Sequence, residues 1–242
     1  MRSRWIMAGA LALVLAACTG GSNETASSTA TGNPQDVVLL RTASGALALE
    51  TGSGSVITRD PDALVAPDGS RLYTAVVNGR QTTVTTIDPN TGGTLATTSV
   101  DGALEARAAS LSGDAVAMMA PRPPGIDEWT PIPRAHSTIV VADPTGDQRL
   151  RRYHLRGNFE PEAFSVNDSR LFMIQYLPAE APAAYRVTTL DLGDGDVYPV
   201  FGRFKTPPER MPGIRLRQTF DPTTDQLYTL YTNEPSTYHR PT

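Results

Sequence analysis

Two glutamates two residues apart, Glu160 and Glu162 in GNFEPEAF, are the residues best placed for acid–base chemistry. Alternate side chains of an extended strand share a face, so the pair could present two carboxyl groups together, one of them as a base. The same carboxylates could instead contact a ligand, or form salt bridges with Arg107, Arg215 and Arg217, which fall in neighbouring segments. Trp129 is the only tryptophan after Trp5, and it sits in a proline-rich stretch, PRPPGIDEWTPIPRAH, that ends on His136. A tryptophan in such a loop is a plausible binding anchor, or a plug packed on its own loop. The remaining histidines, His154 and His239, lie in other segments, and no spacing converges on a metal set. DLGDGD from Asp191 lacks the full acidic pattern and the distal glutamate of a calcium loop, and reads as a turn. No glycine-rich phosphate loop opens a helix, and no Gly-x-Ser-x-Gly elbow is present. No metal and no cofactor are therefore expected.

The elements that must position these residues repeat. LVAPDGSRLYTAVV from Leu64, AASLSGDAVAMMAP from Ala108 and AFSVNDSRLFMIQY from Ala163 each join an apolar stretch, a tight polar turn and an alternating stretch. RQTFDPTTDQLYTLYT from Arg217 matches them with one extra residue. That order is a hairpin signature. Between them a second hairpin recurs, with Asp88, Asp143 and Asp191 opening equivalent turns about 50 residues apart, near the ~40–50 residues of a four-stranded propeller blade. An irregular β-sandwich is the competing architecture, since it too has short strands and frequent turns.

APDGSRLYTAVVNGRQTTVTTIDPNTGGTLATTSVDG resembles the YVTN-type, WD-repeat-like propellers of bacteria, through its Pro-Asp-Gly turn, Leu-Tyr strand and Ile-Asp turn. The resemblance implies an all-β fold: a β-propeller of four-stranded antiparallel blades. It predicts blades over about 62–100, 105–155 and 161–201, and the start of another near Ile214. DVVLLRTASGALALETG from Asp36 reads as the two outer strands of a blade. Pairing it with the C-terminal strands would close a composite fourth blade; alternatively, the chain is a piece of a larger ring. In this architecture one face collects the connections between second and third strands and those between blades. The insertions 121–136 and 177–184 would project there, and Ala63, Arg107, Glu162 and Arg217 would occupy equivalent places at the channel mouth.

Cys18, the only cysteine, follows an apolar run of 13 residues, Trp5 to Ala17, itself preceded by Arg2 and Arg4. A membrane span needs roughly 20 residues, so this order is that of a secretory signal. Leu15-Ala16-Ala17-Cys18 resembles the lipobox of bacterial lipoproteins, which implies cleavage before Cys18 and lipidation of its thiol. The expected organisation is a signal at 1–17, a polar Gly/Ser/Thr-rich tether at 18–36 and the propeller at 37–242. A net charge of −4 gives no electrostatic case for nucleic acid. The expectation is a protein held on the outer side of a cell membrane by lipid at Cys18, binding a protein, peptide or glycan. Candidate contacts are Arg107, Trp129, His136, Glu160, Glu162, Arg215 and Arg217. The alternatives are a lyase or hydrolase acting on an envelope polymer with Glu160 or Glu162 as base, and a structural envelope component.

Overall fold

The computed structural model describes residues 37–42, 45–126, 130–145, 150–200, 211–212, 215–221, 223–224 and 226–231, and every regular element among them is a strand. An N-terminal antiparallel sheet contains β1 (Val37–Thr42), β2 (Gly45–Glu50) and β3 (Val56–Asp60). Blade one contains β4 (Leu64–Val65), β5 (Leu72–Asn78), β6 (Gln81–Ile87) and β7 (Thr94–Asp101). Blade two contains β8 (Glu105–Ala109), β9 (Val116–Met119), β10 (His136–Ala142) and β11 (Arg151–Arg156). Blade three contains β12 (Asn158–Phe164), β13 (Arg170–Leu177), β14 (Ala184–Asp191) and β15 (Val197–Pro199). A short β16 (Met211–Pro212) also pairs with β14. β17 (Arg215–Asp221) and β18 (Gln226–Tyr231) form a separate antiparallel pair.

Each blade is a meander in sequence order, as the repeat requires. The N-terminal segment departs from expectation, because β3 adds a third strand to what the sequence reads as a hairpin. Among the described residues β1 pairs only with β2 and β18 only with β17, so the expected composite blade is not formed. Three strands at one end and two at the other exceed the four that a blade holds.

Side-chain alternation explains how the blades stack. Ile139 and Val141 of β10 pack with Phe159, Leu171, Met173 and Leu190 of blade three, whereas Val140 and Ala142 pack with Tyr73, Val84 and Val100 of blade one. Both faces of this half of the strand are covered, so IVVA (139–142) is apolar without a break where a half-exposed strand would alternate. The inner strands β4, β8 and β12 lie side by side.

Turns follow from short polar side chains. The carboxylates of Asp88, Asp143 and Asp191 each accept a hydrogen bond from the backbone N–H two residues on, at 2.8 Å. This Asx geometry is why aspartate recurs there. Between first and second strands, Gly69 and Gly113 take positive φ (73° and 78°), and Asp168 takes the equivalent place at 53°.

Adjacent blades are also tied by a hydroxyl. Thr82 Oγ1 donates to the Gly102 carbonyl (2.7 Å) and accepts from the Leu104 N–H (2.9 Å). Ser137 repeats this with Gly157 (2.9 Å) and Phe159 (2.8 Å). Both residues stand six before the turn aspartate of their blade, a periodic Thr/Ser that the sequence displays but that apolar patterning does not reveal.

Candidate functional site

The end of the sheets that carries the long insertions is organised around Glu160. Its backbone lies in β12 opposite Ile174, and its side chain is only 4% exposed. Arg122, from the blade-two insertion, donates through Nη2 to both carboxylate oxygens, at 3.0 and 3.1 Å. Arg134, near the end of the same insertion, donates to Oε1 at 3.3 Å and to the Phe159 carbonyl at 3.5 Å. Arg122 also fastens its own loop, through Nη1 to the Thr130 carbonyl (2.8 Å) and through its backbone N–H to Glu105 Oε2 (3.2 Å). Arg107 pairs with Glu105 at 3.1 Å. Burial pulls the Arg134 pKa below its ordinary value; Glu160 opposes that shift, and the neighbouring Arg107 and Arg122 charges add to it.

A second contact joins the two insertions. Asn158, fully buried at the start of β12, donates through Nδ2 to the Ile132 carbonyl (2.7 Å) of one insertion and to the Ala179 carbonyl (3.0 Å) of the other. The Arg134 N–H also reaches the Ala179 carbonyl, at 3.1 Å. Two proline-rich loops from neighbouring blades are thus held to each other and to the inner strand between them.

The sequence candidates distribute unevenly over this arrangement. Arg107 and Glu162 do occupy equivalent places, each being the extra residue of a bulge in its inner strand, between Ala106 and Ala108 and between Pro161 and Ala163. The bulge interrupts the two-residue alternation that would align Glu162 with Glu160. Glu160 is almost fully buried and Glu162 only partly so, and the partners of Glu160 are Arg122 and Arg134 rather than Arg107. Both arginines were missed because their loop has no period; the available signal was their position flanking the prolines at the two ends of the insertion.

Arg215 and Arg217 lie in β17 opposite Tyr231 and Leu230, with side chains outside the described residues. Trp129 and Cys18 also fall outside them. His136 is exposed at the start of β10, paired with Arg156. His154 is on the outer strand β11, where it faces Thr138 and so lies diagonal to His136 on one sheet face. No group of three metal-ligating side chains gathers among the described residues. An open cleft of about 470 Å3 lies elsewhere, between Arg151–Leu155 and Leu192–Gly195.

Chemically, Glu160 is a carboxylate with both oxygens engaged by guanidinium groups. That geometry positions loops.

No family model matches the chain, and no curated protein matches it. Among solved structures, TolB from Acinetobacter baumannii aligns with a TM-score of 0.51 at 12% identity, over 83% of this chain and 47% of that one. Hydrazine synthase from Kuenenia stuttgartiensis aligns at 0.48 and 14% identity, over 81% and 58% of the two chains. The β-propeller domain of the trilobed protease from Pyrococcus furiosus aligns at 0.45 and 9% identity, over 77% and 56%. The chain spans about half the length of these structures. Likeness at such identity carries the fold alone, and together with the meandering four-stranded sheets it makes this chain a β-propeller.

Proposed function

We propose that the chain is a lipid-anchored, extracytoplasmic β-propeller that binds a protein, peptide or glycan partner through the face bearing the insertions 121–136 and 177–184. The observation that carries this reading is the fastening of both loops by Asn158 and by the Arg122–Glu160–Arg134 cluster. A loop fixed before association loses less conformational entropy on binding, and buried ties of this kind are not needed to close a surface turn. Asn78-Gly79-Arg80, at the same place in blade one, makes the connection in a short turn without them.

Photo-reactive residues placed at Pro124 and Ile126, on this face, and at Asn90 and Thr145, on the opposite one, test the reading in intact cells. Cross-links are expected from the first pair only. Trp129→Ala is expected to weaken capture by about 2 kcal/mol or more, as removal of an aromatic anchor does, with an unchanged melting curve. Cross-links spread equally over both faces, or a Trp129 effect matched by loss of folding, would overturn it.

A further inference from the structure

The outer strand of blade two carries a row of exposed basic side chains that no described acid pairs. Arg152, His154 and Arg156 alternate along β11 and are all exposed, and His136 stands directly opposite Arg156 on β10. Tyr153 and Leu155, between them, point the other way into the blade-three core. Arg151 on that side reaches the Leu192 carbonyl, so it belongs to the packing. On the exposed side Arg152 touches the Asp101 backbone carbonyl and His154 shares a hydrogen bond with Thr138 at 3.2 Å. None of Arg152, His154, Arg156 and His136 forms an ion pair with a described acid.

Blade one shows what the architecture itself demands at these places. The register puts Thr97, Ser99 and Asp101 of β7 where blade two has Arg152, His154 and Arg156, and Gln81 where it has His136. There the cross-strand pair is an amide-to-carboxylate hydrogen bond, Gln81 Nε2 to Asp101 Oδ1 at 3.2 Å. An edge strand is often protected from unwanted pairing by charge, but β7 is an edge strand of the same kind and does without cations.

We infer that this row is a binding site for an extended polyanion of the envelope, a polymer carrying carboxylate or phosphate at regular intervals. The inference rests on the loop-face reading and specifies its partner, because His136 is the last residue of the blade-two insertion and, with Arg156 opposite it, begins a row that runs from that end of the blade along β11. Side chains on one face of a strand recur about every 6.7 Å, so Arg152 and Arg156 lie about 13 Å apart in a straight line, a spacing suited to a chain-like ligand. A bilayer surface would call for apolar side chains to insert, and single-stranded nucleic acid for aromatic stacking platforms. The row from Arg152 to Arg156, with His136 and Thr138 beside it, exposes no apolar side chain and no Trp, Tyr or Phe.

The test is titration of the full chain in nonionic detergent with polygalacturonate (carboxylate) and with polyglycerol phosphate. Neutral dextran, phosphatidylglycerol vesicles and oligothymidylate are the controls. Binding to one or both polyanions is expected, weakened at least about tenfold by Arg152→Gln/Arg156→Gln and by raising salt from about 0.05 to 0.5 M, where screening shortens to a few ångströms. Thr97→Ala/Ser99→Ala, at the same places in blade one, should bind as the wild type does, and all variants should share one melting curve. No binding to either polymer, equal binding to dextran, tighter binding to vesicles or oligothymidylate, or an unaffected arginine variant would overturn the inference. If Pro124 and Ile126 still cross-link a partner while both polymers fail, the row falls and the loop-face reading stands. Polyanion binding lost in the arginine variant, with no cross-links from the loops, would remove the loop-face reading alone.

Discussion

Glu160 illustrates how one buried charge can matter more than several exposed ones. Its carboxylate is 4% exposed and serves two arginines whose side chains are 10% and 18% exposed. Removing one member of such a set leaves the others desolvated without a counter-charge, which costs about 3–5 kcal/mol. Glu160→Gln is therefore expected to lower the unfolding free energy by about that amount in a urea titration. Glu105→Gln, which alters a pair whose carboxylate is 40% exposed, should cost less than about 1 kcal/mol. Equal effects would mean that the Glu160 cluster is solvated in the native protein. The pairing was not legible in the sequence, because a salt bridge between a strand and a loop from another blade has no spacing rule. What the sequence did offer was the identity of the strand residue: a glutamate inside an otherwise apolar inner strand must find a cation.

The five- and six-residue turns between first and second strands show how an element tolerates drift. Gly69 and Gly113 meet the positive φ of the turn without a side chain, while Asp168 meets it with a short polar one. Asp168 also reaches across to blade two, accepting a hydrogen bond from Ser112 Oγ at 2.6 Å. Burial raises its pKa above the ordinary 3.8; the Ser112 hydrogen bond opposes the shift and the Asp114 charge adds to it. A raised carboxyl pKa means that the folded state holds more protons than the unfolded state just above pH 3.8, so this group's contribution to stability falls as pH rises through that window. Asp168→Asn keeps an oxygen for Ser112 and a residue type suited to positive φ, but removes the ionisation. Its melting temperature relative to the wild type should become more favourable as pH rises above about 4, then level off once the folded-state carboxyl is ionised. A difference that is flat with pH would show that the charge carries no cost.

These turns, like the aspartates at 88, 143 and 191, were readable in advance because their geometry is local. β3 was not, since Val56–Asp60 follows a Gly/Ser-rich stretch and is only five residues long. The Glu162 bulge was hidden for a different reason: one extra residue in a strand changes register without changing composition.

Among the described residues stacking is sequential: blade one packs on the N-terminal sheet and on blade two, and blade two packs in turn on blade three. The lipobox-like Leu15-Ala16-Ala17-Cys18 bears on where this stack is held. If Cys18 carries the anchor, Cys18→Ser should leave an uncleaved precursor or release the protein into the medium, while melting of the propeller stays unchanged. Fractionation of cells followed by mass spectrometry of the wild-type N-terminus decides the matter, and a mature terminus without acyl mass would refute the anchor. Asn158 has a different consequence, one of inheritance. Because a single amide holds the Ile132 and Ala179 carbonyls together, the two insertions cannot change length independently without unseating it. The two insertions are therefore expected to vary as one unit, a change of length in one requiring a matching change in the neighbouring blade.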